Sequence, residues 1–132
     1  MDFAKLLAYQ KGFRLAMEVF QISKSFPKEE KYALTDQIRR SSRSVCACLT
    51  ESYRKRNNPA HFISKLSDSD MENSETQVWL DFALACEYLD NSAHERLVLE
   101  VQGVGKLINF MMLHHEKFGS RKMQNLLPTE SS

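Results

Sequence analysis

The sequence predicts an all-α protein, an antiparallel up-down-up-down four-helix bundle, on the basis of three observations. Apolar residues recur at helical spacing in four segments of roughly 22 to 30 residues, and short breaks separate these segments. No segment shows the alternation of apolar and polar residues that is typical of a half-buried strand. The 132 residues include only four glycines and three prolines, too few for a turn-dense all-β design. Short connections make consecutive helices antiparallel.

The first two helices are predicted over residues 3–24 and 32–55. The first ends before Pro27, because proline forces the residue before it out of the helical region, and Pro59 helps to break the second. One side of the first helix carries Phe3, Leu6, Phe13, Met17 and Phe20. One side of the second carries Leu34, Ile38, Val45, Leu49 and Tyr53.

The last two helices are predicted over residues 60–89 and 93–117. Ser92 is expected to cap the fourth helix and Gly119 to end it, since glycine suits the left-handed position after a helix. We attribute Gly103 and Gly105 to close helix packing rather than to ligand contact. The apolar residues of this helix are Leu97, Val101, Val104, Ile108 and Met111. The bundle is thus predicted over residues 1–118, with a polar, disordered tail over residues 119–132.

Two helices carry a second apolar strip, which an isolated bundle does not need. The second strip consists of Leu15, Val19 and Ile22 on the first helix, and of Val78, Trp79, Phe82, Cys86 and Leu89 on the third. The other strip of the third helix consists of Phe62, Leu66, Leu80 and Leu84. Two strips on a long helix indicate a second buried surface, hence a homo-oligomer. A single wide strip that reaches both neighbouring helices is the alternative, and the sequence leaves open which strip faces the core.

The charge distribution is compatible with self-association. Residues 1–60 hold 12 Lys/Arg and 6 Asp/Glu, whereas residues 61–132 hold 6 and 11, although the whole chain has a net charge of only +1. Halves of opposite sign can pair head-to-tail between copies and close into a ring. The same halves can also neutralise each other within one bundle.

Composition excludes several protein classes. No run approaches the roughly 18 apolar residues that span a bilayer, and residues 1–13 do not have the pattern of a signal peptide. The three cysteines are an odd number, which favours free thiols acting as small core side chains in a reduced, cytoplasmic protein. No membrane partner is expected.

A basic stripe on the second helix is the candidate functional site. It consists of Arg39, Arg40, Arg43 and Arg54, which share an arc of about 100°, with Lys55 and Arg56 at the helix end. Guanidinium groups in a row suit phosphate backbones, because each forms paired hydrogen bonds to phosphate oxygens. No stacking aromatic lies within the stripe, so shape- and charge-based contact with structured RNA or a ribonucleoprotein is expected. The alternatives are a solvated face or an ion-pair surface between subunits for Asp68, Asp70 or Glu87.

Catalytic and metal-binding patterns are absent from the sequence. No histidine follows a glutamate by three residues, and there is no Cys-x-x-Cys pair or glycine-rich phosphate loop. Glu72 and Glu75 share a helix face, where two carboxylates can serve acid–base chemistry or a metal. Without a histidine or further acidic ligands, bonds to arginine or to helix-end groups are the favoured interpretation. We therefore predict no catalytic residue, no metal and no cofactor.

Several of these segments resemble the four-helix bundle proteins called 23S rRNA intervening-sequence proteins. Residues 26–30 read Phe-Pro-Lys-Glu-Glu and residues 34–45 read Leu-Thr-Asp-Gln-Ile-Arg-Arg-Ser-Ser-Arg-Ser-Val. In the family the run is roughly Phe-Pro-x-x-Glu, then Leu-x-x-Gln-Ile-Arg-Arg-Ala-x-x-Ser-Ile. Residues 62–66 and 72–80 are similar to a branch of the family. The resemblance covers residues 6–113.

This resemblance implies an antiparallel bundle that assembles as a homopentamer and has no established enzymatic activity. A related group, the accessory variability determinant proteins of diversity-generating retroelements, forms a basic pentameric barrel that works with a reverse transcriptase and RNA. The present chain departs from the family's usual Asn-Ile-x-Glu-Gly run, which here reads Cys-Leu-Thr-Glu-Ser over residues 48–52. Its near-neutral charge also differs from the basic retroelement group.

The sequence thus leads to one functional hypothesis and two rivals. The hypothesis is a non-enzymatic oligomer that binds structured RNA through the basic stripe. The first rival is a protein-interaction scaffold in which the arginines are ion-paired between subunits. The second is a metal- or carboxylate-dependent enzyme that uses Glu72, Glu75 and a histidine.

Overall fold

The structure is a computed structural model that describes residue 3 and residues 6–119. Its helices are α1 (Leu7–Ser23), α2 (Leu34–Arg54), α3 (Pro59–Ala85) and α4 (Asn91–Leu113), with 3₁₀ turns at Lys28–Glu30 and His115–Phe118. Each helix packs against the next, and α1 also packs against α4. Within the described residues there is no strand, so the predicted all-α four-helix bundle is confirmed. From residue 120 onward, the predicted tail lies outside the described residues.

Side-chain caps start α3 and α4, and left-handed residues follow α3 and the last 3₁₀ turn. Asn58 caps α3 by accepting a hydrogen bond from the His61 amide at 3.2 Å. Asp90 caps α4 by accepting from the Ala93 amide at 2.7 Å. The prediction that Ser92 caps α4 is therefore wrong. The Asp90 carboxylate, which reaches further than a serine hydroxyl, lies two residues earlier and caps the helix there.

The third helix ends four residues before its predicted limit at residue 89. Glu87 adopts a left-handed conformation with φ 64°, and the Tyr88 amide donates to the Ala83 carbonyl at 2.8 Å. This is the hydrogen-bond pattern of a Schellman cap, which turns the chain away from the helix axis. At the end of the bundle, Gly119 is left-handed with φ 91°, as the sequence predicts.

The core is built from one apolar side of each helix. The apolar residues that the periodicity predicts on α2 and α4 are all buried, and α2 also buries several small polar residues beside them. Phe62, Leu66 and Leu80 supply the core side of α3, and all three are inaccessible to solvent. Hydroxyl groups bridge α2 and α3 inside this core: Ser41 and Thr76 lie 2.9 Å apart, and Ser69 donates to the Val45 carbonyl at 2.8 Å.

The core side of α1 is the strip that the sequence assigned to a contact between subunits. Val19 is 0% exposed and Leu15 is buried beside it, whereas Phe13 is 52% exposed. The placement of Leu15 and Val19 in an interface is therefore wrong, and Ile22 also packs partly against the core. The physical reason is close approach, because the buried side of α1 contains small residues. A Cβ added at Gly12 would lie 3.4 Å from Cys46 Sγ on α2.

The two glycines within α4 differ in their surroundings. A Cβ at Gly105 would lie 3.3 Å from Asn73 Nδ2 on α3, which agrees with the predicted close packing. A Cβ at Gly103 would meet nothing within 4 Å, so close packing does not explain this glycine. Nothing in the structure supplies another reason for it.

The three cysteines are free thiols in three different environments. Cys46 is buried, Cys48 is half-buried and Cys86 is exposed. Burial raises the pKa of the Cys46 thiol to about 11, which keeps it protonated near neutral pH. Only Cys46 thus has the environment that the sequence analysis expected of all three.

Candidate functional site

The predicted basic residues form two groups on α2. Arg39, Arg40 and Arg43 lie in its first half, whereas Arg54 is its last residue, about 17 Å beyond Arg43 by the helical rise. Lys55 and Arg56 follow directly. The stripe is therefore interrupted in its middle.

A cluster of cations surrounds Phe20 of α1. The Lys24 Nζ lies 4.9 Å from the Phe20 ring centroid, and the Arg39 and Arg43 Cζ atoms lie 4.8 and 5.6 Å from it. The Arg39 Nε also donates to Ser23 Oγ at 2.7 Å, which holds this guanidinium in place. We call Phe20, Ser23, Lys24, Arg39 and Arg43 the Phe20 cluster. Two helices thus bring three positive charges to one partly buried aromatic ring.

Within the described residues, the charges of the Phe20 cluster have no partner of opposite sign. Among the described residues, no carboxylate lies within 4.0 Å of Lys24, Arg39 or Arg43. Three like charges around one ring repel each other, and water alone screens them. Such an arrangement favours the binding of an anion, because an anion removes the repulsion.

Arg40 points toward the other side of α2. Its charge lowers the pKa of Glu72 on α3, although burial and the neighbouring Glu75 carboxylate raise that pKa overall. Asp68, one of the carboxylates considered as partners of the basic stripe, instead lies 3.7 Å from Lys65. The other carboxylates considered form no ion pair in the described residues. In the part of the chain that the structure describes, none of the six basic residues forms an ion pair.

The basic residues at the end of α2 are less alike than the sequence indicates. Arg56 stacks its guanidinium 4.1 Å from the Tyr53 ring centroid and donates from Nη1 to the Tyr53 carbonyl at 2.9 Å. It therefore satisfies a carbonyl at the end of the helix. Arg54 and Lys55 are exposed.

The expectation that no aromatic lies within the stripe is wrong. Phe20 comes from α1, nineteen residues before the first arginine of the stripe, so a search along α2 does not find it. The spacing of Phe20 and Lys24, four residues apart, is the only sequence signal of the cluster. The juxtaposition of the ring with Arg39 and Arg43 depends on how α1 packs against α2.

Most of the second apolar strip of α3 is accessible, whereas its last residue, Leu89, is buried in the core. Val78 and Phe82 are exposed, and Cys86 is exposed beyond the end of the helix. Trp79 is partly buried, with its ring centroid 5.9 Å from that of Phe82 and its Nε1 donating to Glu75 at 3.2 Å. We call Val78, Trp79, Phe82 and Cys86 the α3 patch. Its burial by another subunit remains a prediction.

The carboxylates and histidines do not assemble into a metal centre in the described part of the chain. Glu75 accepts the hydrogen bond from Trp79, and His94 lies 2.7 Å from Asp81. No group of three or more His, Cys, Asp or Glu side chains there is able to hold a metal ion. Within the same residues, no helix is long and apolar enough to cross a membrane.

A second charged cluster joins α1 and α4. Arg96 of α4 forms an ion pair with Glu18 of α1, and the Arg96 Nη1 lies 3.7 Å from Glu100 Oε2. Burial, a hydrogen bond with Glu18 and the charge of Glu18 raise the pKa of Glu100 from 4.5 to about 7, against the opposing effect of Arg96 and Arg14. The folded chain thus holds a proton at Glu100 over a range in which the unfolded chain has released it.

This raised pKa predicts how Glu100→Gln alters stability. Because the folded state binds more protons than the unfolded state between pH 4.5 and about 7, wild-type stability falls as pH rises through that range. Glu100→Gln should therefore be more stable than the wild type at pH 8. We expect the free energy of unfolding to rise by about 1 kcal/mol at most, since the Glu100 side chain is 36% exposed and water screens its charge.

Urea denaturation at pH 4 and pH 8 measures this difference. The gain from Glu100→Gln should be present at pH 8 and disappear at pH 4. Glu95→Gln, at an exposed position of α4, is the matched control and should leave the pH dependence as in the wild type. An equal gain from Glu100→Gln at both pH values would contradict the assignment.

Comparisons with known proteins agree with the fold. Residues 4–110 match the family model described as 23S rRNA-intervening sequence protein. A crystal structure of a protein of unknown function from the S23 ribosomal protein family of Bacteroides thetaiotaomicron is similar, with 25% sequence identity and a TM-score of 0.73. The alignment covers 85% of this chain and 98% of that chain. No curated protein matches the sequence.

Proposed function

The chain belongs to the 23S rRNA-intervening sequence protein family, and we propose that it is a non-enzymatic, self-associating bundle that binds structured RNA. The observation that carries the proposal is the Phe20 cluster. Its three cations have no carboxylate partner in the described residues, and a phosphate group would supply the missing charge. The three free thiols support a reducing, cytoplasmic setting.

The expected mode of binding is contact with the phosphate backbone. Arg39 and Arg43 each offer a planar set of donors that pairs with two phosphate oxygens, and Lys24 adds a point charge. Arg54 and Lys55 extend the positive surface along the outer side of α2, and Arg40 adds a positive charge on the side that faces Glu72 of α3. Since the nearest members of the two groups, Arg43 and Arg54, lie about 17 Å apart along the helix, the groups would contact phosphates in separate parts of a folded RNA. Recognition would then depend on RNA shape rather than on base sequence.

The α3 patch supports self-association. Exposed Val78 and Phe82 lie in the acidic half of the sequence, whereas Phe13 and Met17 are exposed on α1, in the basic half. We propose that the α3 patch of one copy packs on the exposed side of α1 in the next copy. This contact joins two different surfaces, and its repetition forms a closed ring when the rotation from one copy to the next closes on itself. A ring of five is the size that the family resemblance implies.

The double variant Arg39→Glu, Arg43→Glu tests RNA binding. We expect wild-type affinity for a structured RNA hairpin to fall steeply between about 50 and 200 mM salt, because bound cations release counterions from the RNA. The double variant should bind at least tenfold more weakly, with a shallower salt dependence. Fluorescence anisotropy with a labelled hairpin measures both quantities.

A matched control variant separates local contacts from net charge. Lys11→Glu, Lys106→Glu changes the net charge equally at exposed positions on α1 and α4, and it should retain most of the affinity. Light scattering on the Arg39, Arg43 variant addresses the scaffold rival. Dissociation of the oligomer with no RNA binding by the wild type would favour arginines ion-paired between subunits. Salt-independent binding would also overturn the proposal.

A further inference from the structure

Residues 26–30, which carry the Phe-Pro-x-x-Glu run between α1 and α2, form one unit with the end of α3. The buried ring of Phe26 packs against Tyr88, with the two ring centroids 5.6 Å apart. The Tyr88 hydroxyl donates to Glu30 Oε2 at 2.8 Å, and the Leu34 amide donates to Glu30 Oε1 at 3.2 Å. One carboxylate thus joins the start of α2 to the α3–α4 connection. We call Phe26, Glu30 and Tyr88 the Tyr88 clamp.

Glu30 also replaces a cap that α2 lacks. Ala33 occupies the N-cap position and makes no capping hydrogen bond, because its side chain has no oxygen. The first amides of a helix have no partner within the helix, and Glu30 satisfies the first amide of α2. The hydrogen bond to Glu30 raises the pKa of Tyr88 to about 12, which keeps its hydroxyl available as a donor at neutral pH. Both carboxylate oxygens are therefore engaged in holding this connection.

The same connection reaches the Phe20 cluster through Ser23, the last residue of α1. The Phe26 amide donates to the Ser23 carbonyl at 3.1 Å, and Ser23 Oγ accepts from Arg39 Nε at 2.7 Å. Arg39 lies five residues after Leu34, about 7.5 Å along α2 by the helical rise. The Tyr88 clamp thus holds the end of α1 and the beginning of α2, which are the two segments that carry the cluster.

A second close contact between α1 and α2 lies far from this end. The Cys46 thiol of α2 donates to the Tyr9 carbonyl at 3.8 Å and lies beside Gly12. Gly12 is eleven residues before Ser23, about 16 Å along α1. Over that length, a change of about 10° in the angle between the helices moves Ser23 by roughly 3 Å. The alignment of Ser23 with α2 therefore depends on contacts at the clamped end.

We propose that Glu30 and Tyr88 are positioning residues for the Phe20 cluster, which hold α1 and α2 at the separation that aligns Ser23 with Arg39. The inference rests on the proposed binding of RNA by this cluster. Neither residue carries a positive charge, so neither contributes to phosphate contact directly. Without the clamp, Arg39 loses its fixed position beside the Phe20 ring, and the three cations no longer converge on one place.

Positioning and charge predict opposite effects of Glu30→Ala. Removing a carboxylate makes this end of the chain more positive, which by charge alone raises the affinity for RNA. Loss of positioning instead weakens binding of the labelled hairpin by about three- to tenfold, the effect of losing one charged contact to phosphate. Fluorescence anisotropy measures the change. Binding by Glu30→Ala as tight as or tighter than that of the wild type would overturn the proposal.

Two further variants serve as matched comparisons. Glu29→Ala removes the same charge from the exposed neighbouring residue and should bind the hairpin as well as the wild type or better. Glu30→Gln keeps an oxygen that accepts from the Leu34 amide and should retain most of the affinity. Circular dichroism checks that the variants remain helical. Equal losses in Glu29→Ala and Glu30→Ala would contradict a specific role of Glu30.

A measurement without RNA separates this inference from the proposed function. In the isotope-labelled full chain, NMR reports how fast the Arg39 Nε–H exchanges with water. Tyr88→Phe removes only the hydroxyl and should speed this exchange by about threefold or more. Tyr32→Phe makes the same change in an 84% exposed ring of the same connection and should leave the exchange unchanged.

The two outcomes are independent. Unchanged exchange in Tyr88→Phe would overturn the positioning role even if the wild type binds RNA. Faster exchange in Tyr88→Phe, together with no RNA binding by the wild type, would support the positioning role and overturn the proposed function.

Discussion

Replacing Phe62 by alanine is expected to lower the free energy of unfolding by about 3–5 kcal/mol. The Phe62 side chain is 0% exposed and lies in the core cluster with residues from all four helices. Its removal leaves a cavity that the surrounding helices fill only in part, so lost burial and lost packing add together. Urea denaturation followed by circular dichroism measures the change.

Phe82→Ala is the matched control for this experiment. Phe82 lies on the same helix but is 53% exposed, so the same substitution should change the stability of the single chain by less than about 1 kcal/mol. The comparison requires a protein concentration at which the chain is monomeric, because Phe82 belongs to the α3 patch. Similar losses from the two substitutions would contradict the assignment of Phe62 to the core and Phe82 to the surface.

The double variant Val78→Asp, Phe82→Asp is expected to dissociate the oligomer. Two apolar side chains that contribute about 1.5–3 kcal/mol each on burial would be replaced by carboxylates in an acidic part of the surface. We expect the dissociation constant to rise at least 100-fold, and the particle mass to fall toward the 15.3 kDa of one chain. Analytical ultracentrifugation over a range of concentrations measures both.

Two further variants show whether the contact joins different surfaces. Leu99→Asp, Leu113→Asp places the same charges at exposed apolar positions of α4 and should leave the oligomer intact. Phe13→Asp, Met17→Asp should dissociate it, since these residues form the opposite surface in the proposed contact. Mixing the α1 and α3 double variants should then yield one-to-one dimers, because each retains one functional surface. A wild-type chain that sediments as a monomer at high concentration would overturn the assembly proposal.

The fold was predictable because the helical spacing of apolar residues and the helix-breaking residues both act locally. The predicted apolar residues of α2 and α4 are all buried. Pro27 lies between helices, and Pro59 is the first residue of α3. The end of α3 was predicted less well, because a left-handed glutamate at position 87 replaces the glycine that usually marks such an end. The cap of α4 was misplaced for a similar reason, since Asp90 and Ser92 are both good capping residues.

The candidate site was predictable only in part. The arginines of α2 share a face because of their spacing, which the sequence shows directly. The Phe20 cluster requires α1 to lie beside α2, and this contact is between residues far apart in sequence. The contact of Glu30 with Tyr88 similarly depends on how the end of α3 lies against the start of α2. No periodicity within a single helix contains this information.

The sequence by itself determined the number of helices, their approximate limits and the existence of two apolar strips on α1 and α3. Only the tertiary structure decided which strip of α1 is buried, because that choice depends on how closely two helices can approach. Small residues at Ala8, Gly12 and Ala16 allow α2 to pack against the Leu15 and Val19 side. The larger aromatic strip is left partly exposed. Hydrophobic pattern sets how much surface a helix buries, and shape sets which side it buries.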